Sequence, residues 1–575
     1  MHGGTIAPTR ARGHRDSPAA MALGSFCLVL HGHLPWVLHH GNWPHGEVWL
    51  FEAAAETYLP LLALVEQGGV PITLGLTPVL LEQLAHPRFT TRFPRWLQEQ
   101  VERAGRDEKE FVERGEVHLA FLAERAGAHH RALVEQFEAI GRDIPAAFAA
   151  AHSRGHLELL TSNATHGFMP LIKHDACARA QVRAGVSTSR QRLGFSPRGA
   201  WLPECAYRPG GPWTAPVGES AQSLRAGVEE VFAHEGVGFF FVDAHLFAGA
   251  RSEGTQSPQG FTKVDWKQAT WDDTRGWRNV LEPHWVSSDG GPGRLVALAR
   301  HPELSEQVWS GEVGYPGDGR YLEFHKRHGR DGLRYWRVTG PGKGLGDKEP
   351  YVPDDTQGAL FAHAQHFVAT VRSLVKRHHE RTGRHGVVVA PFDAELFGHW
   401  WHEGPAFIRE VMAALSNDPV VRPCTVSTHL NQWPADKVVT LPEGTWGAGG
   451  DHRVWLNDET RWTWEAEHGA EDRFLDAIHR LDWRHDEGVA EALRAAAREL
   501  LLVQASDWQF VIHTRGAVDY GYRRFGEHLS RFDRACNLAD ARAQGEPDDE
   551  LAASELRDMQ LHDSCFSQLK LEWWT

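Results

Sequence analysis

The feature that most constrains this chain is a set of short apolar runs with almost no polar alternation. They are Phe26–Leu30, Ile72–Leu76, Leu157–Leu160, Gly199–Leu202, Phe239–Val242, Leu295–Ala299 and Val387–Ala390. A strand with one wet face alternates apolar and polar side chains, whereas a strand apolar throughout is buried on both faces, as in parallel sheets. Helical patterns lie between some of the runs. Ala128–Ala150 is one; Ala359–Arg381 is another, with Leu360, Phe361, Phe367, Val371, Leu374 and Val375 on one stripe and Gly383 just past its end. This repetition predicts an α/β fold, either a barrel or a doubly wound sheet. Beyond about residue 435 strands become scarce, and Glu471–Leu481, Val489–Val503 and Tyr520–Leu538 read as helices of a separate C-terminal domain.

A chain of 575 residues is long enough for one large catalytic body and a smaller domain without a metal or disulfide staple. Its formal charge of −15 disfavours nucleic acid as a partner. Apolar content of 42% and charged content of 23% exclude wholesale disorder. No apolar run approaches the ~18 residues of a membrane span, so no membrane partner is expected. Cys27, Cys177, Cys205, Cys424, Cys536 and Cys565 form no C-x-x-C pair, which fits a reduced, cytoplasmic compartment. Residues 1–21 read as a disordered tail, and Met21–Leu30 as the start of a buried strand, not a secretion signal. The run Gly340-Pro-Gly342-Lys-Gly344-Leu-Gly346 looks like a phosphate loop but lacks the strand-to-helix context that nucleotide binding needs.

The segments just past the strands are rich in ionisable side chains. Phe26–Leu30 leads into His31-Gly-His33-Leu-Pro35, and Leu157–Leu160 into Thr161-Ser-Asn163-Ala-Thr-His166. Gly199–Leu202 leads into Pro203-Glu204, and Val387–Ala390 into Pro391-Phe-Asp393-Ala-Glu395. In a parallel barrel the C-terminal strand ends converge on the face that carries active sites. Glu204 and Asp393 are then a carboxylate pair of the kind that cleaves glycosidic bonds, one attacking or activating water and the other protonating the leaving oxygen. His31 and His33, two apart on a strand edge, face the same way and suit either zinc or sugar hydroxyls. The chain has 23 Trp against 8 Tyr, an excess that suits flat platforms for sugar rings. Candidate platforms are Trp309, Trp400 beside His399, Trp446 and Trp455.

Taken in order, five segments resemble the motifs of glycoside hydrolase family 57. They are His31-Gly-His33-Leu-Pro35, Gly167-Phe-Met-Pro170, Trp201-Leu-Pro-Glu204-Cys-Ala-Tyr207, Phe392-Asp393-Ala-Glu395-Leu-Phe-Gly-His399-Trp400-Trp401 and Ala505-Ser-Asp507-Trp508. Within the family they are most similar to the 1,4-α-glucan branching enzymes of glycogen biosynthesis. The resemblance runs from about residue 26 to about 535. It implies an incomplete parallel (β/α)7 barrel over 22–435, with a small helical insertion near 208–236 and an irregular loop region over 246–293. A helical domain over 436–575 would cover the cleft. It also implies Glu204 as nucleophile and Asp393 as general acid/base, with His31, His33, His166, Trp309, His399, Trp400, Trp446, Trp455 and Asp507 binding substrate. No metal or cofactor is needed, and the expected partner is an α-glucan such as amylose, starch or glycogen bound by a monomer. In the branching enzymes a loop after the Asp-x-His strand end, here Asp243-Ala-His245, carries a tyrosine. No tyrosine occurs in 246–260, where the nearest aromatics are Phe247 and Phe261. The sibling activities, α-amylase and 4-α-glucanotransferase, therefore stay open. So does a remoter reading, a metal-dependent sugar deacetylase built on His31, His33 and Asp243.

Overall fold

The computed structural model describes residues 22–575 except 43, 220, 264–278, 311–312 and 549. The expected tail over 1–21, and Trp266, Trp271 and Trp277 of the tryptophan-bearing stretch, lie outside the described residues. The strands in chain order are β1 (Gly24–Gly32), β2 (Ile72–Leu76), β3 (Leu157–Leu160), β4 (Gly211–Trp213), β5 (Ser223–Arg225), β6 (Phe239–Asp243), β7 (Arg251–Ser257), β8 (Gly260–Lys263), β9 (His284–Val286), β10 (Leu295–Arg300), β11 (Gly386–Asp393), β12 (Val421–Pro423) and β13 (Lys437–Thr440).

Parallel pairing closes a ring. β11 pairs with β1, β1 with β2 and β2 with β3. Thr161, just past β3, bridges Ala200, and Gly199 bridges Phe239 of β6. β6 then pairs with β10, and β10 rejoins β11 through Arg300↔Val389 alone. The seven apolar runs of the sequence thus supply the seven staves, with single-bridge joins on either side of 199–200 and between β10 and β11. Gly199 sits at one join because a Cβ there would lie 2.2 Å from the Phe239 ring; that run makes bridges, not a full strand.

The apolar pattern explains the layers. Cys27, Val29, Leu160, Trp201, Phe241, Leu298 and Val389 fill the barrel interior as one cluster. Their sequence neighbours Leu28, Leu30, Leu159, Phe240, Val388 and Ala390 belong to the outer cluster shared with the helices. Each fully buried side chain of this kind contributes about 1.5–3 kcal/mol of transfer free energy, which is why an unbroken apolar run becomes a stave.

Several expectations need correcting. Ala128–Ala150 is not one helix: Val117–Ala139 ends, and Ile144–Ser153 begins anew. The break has a local cause, with Gly141 and Arg142 at positive φ, Asp143 accepting the Ala146 N–H at 2.9 Å, and Pro145 in the first turn. The 208–236 stretch is not a helical insertion: it holds the β4–β5 hairpin and one short helix, Val228–His234. Nor is 246–293 irregular where it is described. After the helix Ala244–Ala248, β7 and β8 form a hairpin that pairs with β13, and β13 pairs with β9. β7 reads Arg-Ser-Glu-Gly-Thr-Gln-Ser and has no apolar period to reveal it.

Glu47–Glu66 is one continuous helix apolar enough to cross a membrane by length and composition, contrary to the reading of the sequence. Its most apolar window is 72% buried, against the barrel and its helices, which makes it a core helix. It contains a π turn, Ala54–Tyr58. Such turns recur at functional sites because the extra residue re-aims side chains. Beyond the barrel run the helices Arg461–Arg480, Glu487–Val503, Asp507–His513, Val518–Ala543 and Glu550–His562.

Candidate active site

The C-terminal end of β1 pairs His31 with Asp393 at the end of β11, so both reach the same rim. Glu204 comes just after the 199–201 stave, and its backbone is forced into φ 60°, ψ 21°. His166 and Cys205 also have positive φ, 61° and 47°. Non-glycine residues in this region cost of order 1–3 kcal/mol and persist where the surroundings dictate them, often at reactive sites.

Those surroundings are visible around Glu204. The Trp446 indole N–H donates to its Oε2 at 2.8 Å, and the Trp446 backbone N–H donates to its carbonyl at 3.1 Å. The Ser506 hydroxyl lies 3.3 Å from Oε1 and 2.9 Å from His166 Nδ1. Ser506 and Asp507 belong to the C-terminal region, which docks through the Gly167↔Ala505 bridge and the Ser506 N–H on the His166 carbonyl at 3.2 Å. His33 Nε2 reaches Asp507 at 2.8 and 2.9 Å and Nδ1 reaches Thr77 at 3.2 Å. His31 and His166 meet through their Nε2 atoms at 3.0 Å. Below them the His31 ring stacks on Trp201 at 4.6 Å.

The electrostatics separate the groups. Burial pushes the Asp393 carboxyl well up, and the charges of Glu395 and Glu204 push it further, against Arg300. Burial raises Glu204 to about 7, against the Trp446 N–H. Burial, then neighbouring His33, pushes His31 well down; burial, then His33 and His31, does the same to His166, so both are neutral rings near pH 7. His33 moves the other way: burial opposes its charge, but the Asp507 carboxylate overcomes it and holds the ring up. A proton-bearing acid and a carboxylate that ionises near neutrality, near enough for the charge of one to act on the other, are the pair that acid-assisted nucleophilic substitution at an acetal requires.

The walls are aromatic. Trp446 packs edge-on against Trp201 at 5.2 Å and Trp309 at 6.1 Å, and Trp309 is 6.5 Å from Phe392. The Arg300 guanidinium lies 5.4 Å over the Trp446 ring and pairs with Asp243. The structure therefore brings together Glu204, Asp393, His31, His33, His166, Asp507, Trp446 and Trp309. It treats the others differently. Trp455 is 1% exposed and stacked on Phe168 at 4.7 Å, so it backs the wall and offers no free face. His399 bonds Glu56 at 2.5 Å and Trp400 is 42% exposed beside it; neither joins the network of the two carboxylates.

Sequence reasoning missed Tyr58, whose hydroxyl donates to Glu395. Glu395 also accepts the His33 backbone N–H at 3.1 Å, and burial raises its carboxyl. Tyr58 sits in the π turn, in a helix with no motif; only the need of a buried tyrosine for a polar partner hinted at it. Ser506 has no signal of its own in the sequence, because one serine makes no pattern. Asp243, a ligand in the deacetylase reading, is paired with Arg300 and 3.3 Å from His245. Among the described residues the metal-compatible spacing in this site is His33, His166 and Asp507. Their atoms are already committed to one another, to Ser506 and to His31.

Comparison with known proteins identifies the family. Residues 27–442 match the model of glycosyl hydrolase family 57, and residues 467–574 match a 1,4-alpha-glucan branching enzyme C-terminal model. A 1,4-alpha-glucan branching enzyme of Thermococcus kodakarensis is 38% identical over 520 residues, covering 89% of this chain and 73% of that protein. A family 57-type branching enzyme of Pyrococcus horikoshii superposes with a TM-score of 0.85 at 34% identity, covering 96% of this chain and 97% of that one. An α-amylase of Thermotoga maritima superposes at 0.80 with 29% identity, covering 96% and 99%. This chain belongs to glycosyl hydrolase family 57.

Proposed function

We propose that this chain is a retaining 1,4-α-glucan branching enzyme, acting on amylose-like chains through Glu204 and Asp393. The observation that carries the reading is the pairing of two partly buried carboxyl groups with different environments. Glu204 is fixed by Trp446 and Ser506, and Asp393 is kept protonated by burial and by two neighbouring carboxylates. Asp393 protonates the glycosidic oxygen as Glu204 attacks the anomeric carbon, so the C–O bond breaks and a covalent glucosyl-enzyme forms. Asp393, now a carboxylate, takes the proton of an incoming 6-hydroxyl, whose oxygen displaces Glu204 and closes an α-1,6 branch. Sugar hydroxyls would bind here by exchange, replacing the His31–His166 and His33–Asp507 contacts, and the neutral His31 and His166 rings can make that exchange without a change of charge. Trp309 and Trp446 supply the apolar wall that favours a sugar acceptor over water. His399, Trp400 and Trp455 would act further out or from behind. The thiols, all free, suit a reducing cytoplasm, and the reading takes the monomer as the working unit.

A second reading, hydrolysis with little branching, rests on the absence of tyrosine in 246–260, a segment folded into a helix and the β7 strand. Incubation with amylose separates the two. Branching predicts new α-1,6 proton signals with few new reducing ends; reducing ends rising without α-1,6 signals would overturn it.

A further inference from the structure

At the opposite end of the barrel from the carboxylates lies a pair of sulfurs that the chemistry above does not use. Cys27 lies in the first half of β1, among the residues that fill the barrel, and Cys424 comes directly after β12. β12 runs parallel to β1 in the register Gly24↔Val421, Ser25↔Arg422, Phe26↔Pro423, and the next pair in that register is Cys27 with Cys424. The Cys424 N–H continues the ladder by donating to the Phe26 carbonyl at 3.0 Å. Neighbouring strands are about 4.7–4.9 Å apart, inside the Cα separation of about 4.4–6.8 Å that a disulfide spans. The two sulfurs are 4.0 Å apart and share a hydrogen bond.

Access distinguishes this pair. Cys424 lines a cleft of about 430 Å3 bordered by Glu158, Phe195, Arg198 and Arg422. Cys424 is 5% exposed, while Cys27, Cys177, Cys205 and Cys565 are at 0% and Cys536 at 1%. The hydrogen bond from Cys27 holds the Cys424 thiol below its ordinary value against burial, helped by Ser25 and Arg422; the same bond pushes Cys27 well up. The sulfur that faces the cleft is thus the one a small oxidant reaches first.

We propose that Cys27 and Cys424 form a peroxide-oxidisable dithiol, in which Cys424 reacts first and Cys27 resolves it into a disulfide. The Cys424 thiolate attacks one peroxide oxygen and the O–O bond breaks. The sulfur is oxidised by two electrons to a sulfenic acid, and the other oxygen leaves as an alcohol, or as water from hydrogen peroxide. The Cys27 sulfur then attacks the Cys424 sulfur and gives up its proton, and the sulfenic hydroxyl leaves as water. Two thiols and one peroxide become one disulfide, one water and one alcohol. The bridge staples β1 to the segment that leads toward the C-terminal region, and leaves His31 and Asp393 at the other end untouched.

The test is brief exposure of the full folded chain to hydrogen peroxide, alkylation of free thiols in denaturant, and non-reducing peptide mapping. The expected result is a Cys27–Cys424-linked peptide that disappears on reduction, with the other four cysteines alkylated and glucan activity unchanged. In C27A, dimedone should tag Cys424; in C424A, no link should form and Cys27 should stay untagged. Recovery of both cysteines alkylated, or of Cys424 oxidised further without a link, would overturn the proposal, and the wild-type mapping decides it even if a variant fails to fold.

Discussion

Trp446→Phe isolates one hydrogen bond of the site. The indole N–H is 2.8 Å from Glu204 Oε2, while the ring packs edge-on between Trp201 and Trp309. Phenylalanine keeps an aromatic ring there and removes the donor. A hydrogen bond to a charged group is worth about 1.5–3 kcal/mol, and one pKa unit corresponds to about 1.4 kcal/mol, so the loss raises Glu204 by about one to two units. The N–H stabilises the carboxylate, so its removal makes the proton harder to lose. Starting from about 7, the group would then ionise only well above neutrality. The assay is kcat/KM on amylose against pH, read from the loss of iodine colour. The acid-side limb, which reports ionisation of the free enzyme's nucleophile, should move to higher pH by about one to two units. At neutral pH this costs about 5- to 50-fold in rate, and much of it should return on raising the pH. A limb that stays in place while the rate falls uniformly would refute the assignment of Trp446 as the donor that sets Glu204.

The same geometry carries further expected outcomes. Glu204→Gln should lower turnover by several orders of magnitude while leaving the fold intact by circular dichroism, as loss of a nucleophile does. Glu395→Gln removes a negative charge that holds Asp393 up, so Asp393 should lose its proton at lower pH, and the alkaline limb of the same profile should move down. Gly185→Ala should cost about 1–3 kcal/mol in chemical denaturation, because the new Cβ would lie 2.2 Å from the Ser162 carbonyl oxygen and press on the loop that carries His166. Gly358→Ala, inside the helix Pro353–Thr382 with nothing within 4 Å, should instead stabilise by up to about 1 kcal/mol.

The parts of the fold legible in the sequence were those with a dense, local signal. Ile72–Leu76 and Leu157–Leu160 begin and end where the apolar runs do, and the polar residue inside each, Thr73 and Glu158, is buried and bonded to the other at 3.1 Å. Glu204 and Asp393 were legible because each comes just after such a run. The elements that escaped have no local signature. β7 is polar, and becomes a strand because β13 offers Val438 and Val439 to pair with it. The break at 140–143 was written in Asp143 and Pro145, but was overridden by the apolar period around it. Tyr58 acts only because a π turn and a distant strand end bring it to Glu395, 337 residues away. Trp455 shows the converse: a motif tryptophan whose ring is buried on Phe168. Type and spacing mark a residue as notable, whereas the side on which it works is set by packing that no short window contains.

Double displacement requires that Glu204 become covalently linked to the sugar, opposite an acid at Asp393. A fluorinated α-glucosyl fluoride, which forms the glycosyl-enzyme quickly and releases it slowly, tests this in one step. Peptide mapping by mass spectrometry after denaturation should find the sugar on Glu204 alone, with Glu204→Gln unlabelled. Labelling of a different carboxylate, such as Asp507 or Glu395, would show that Glu204 is not the nucleophile.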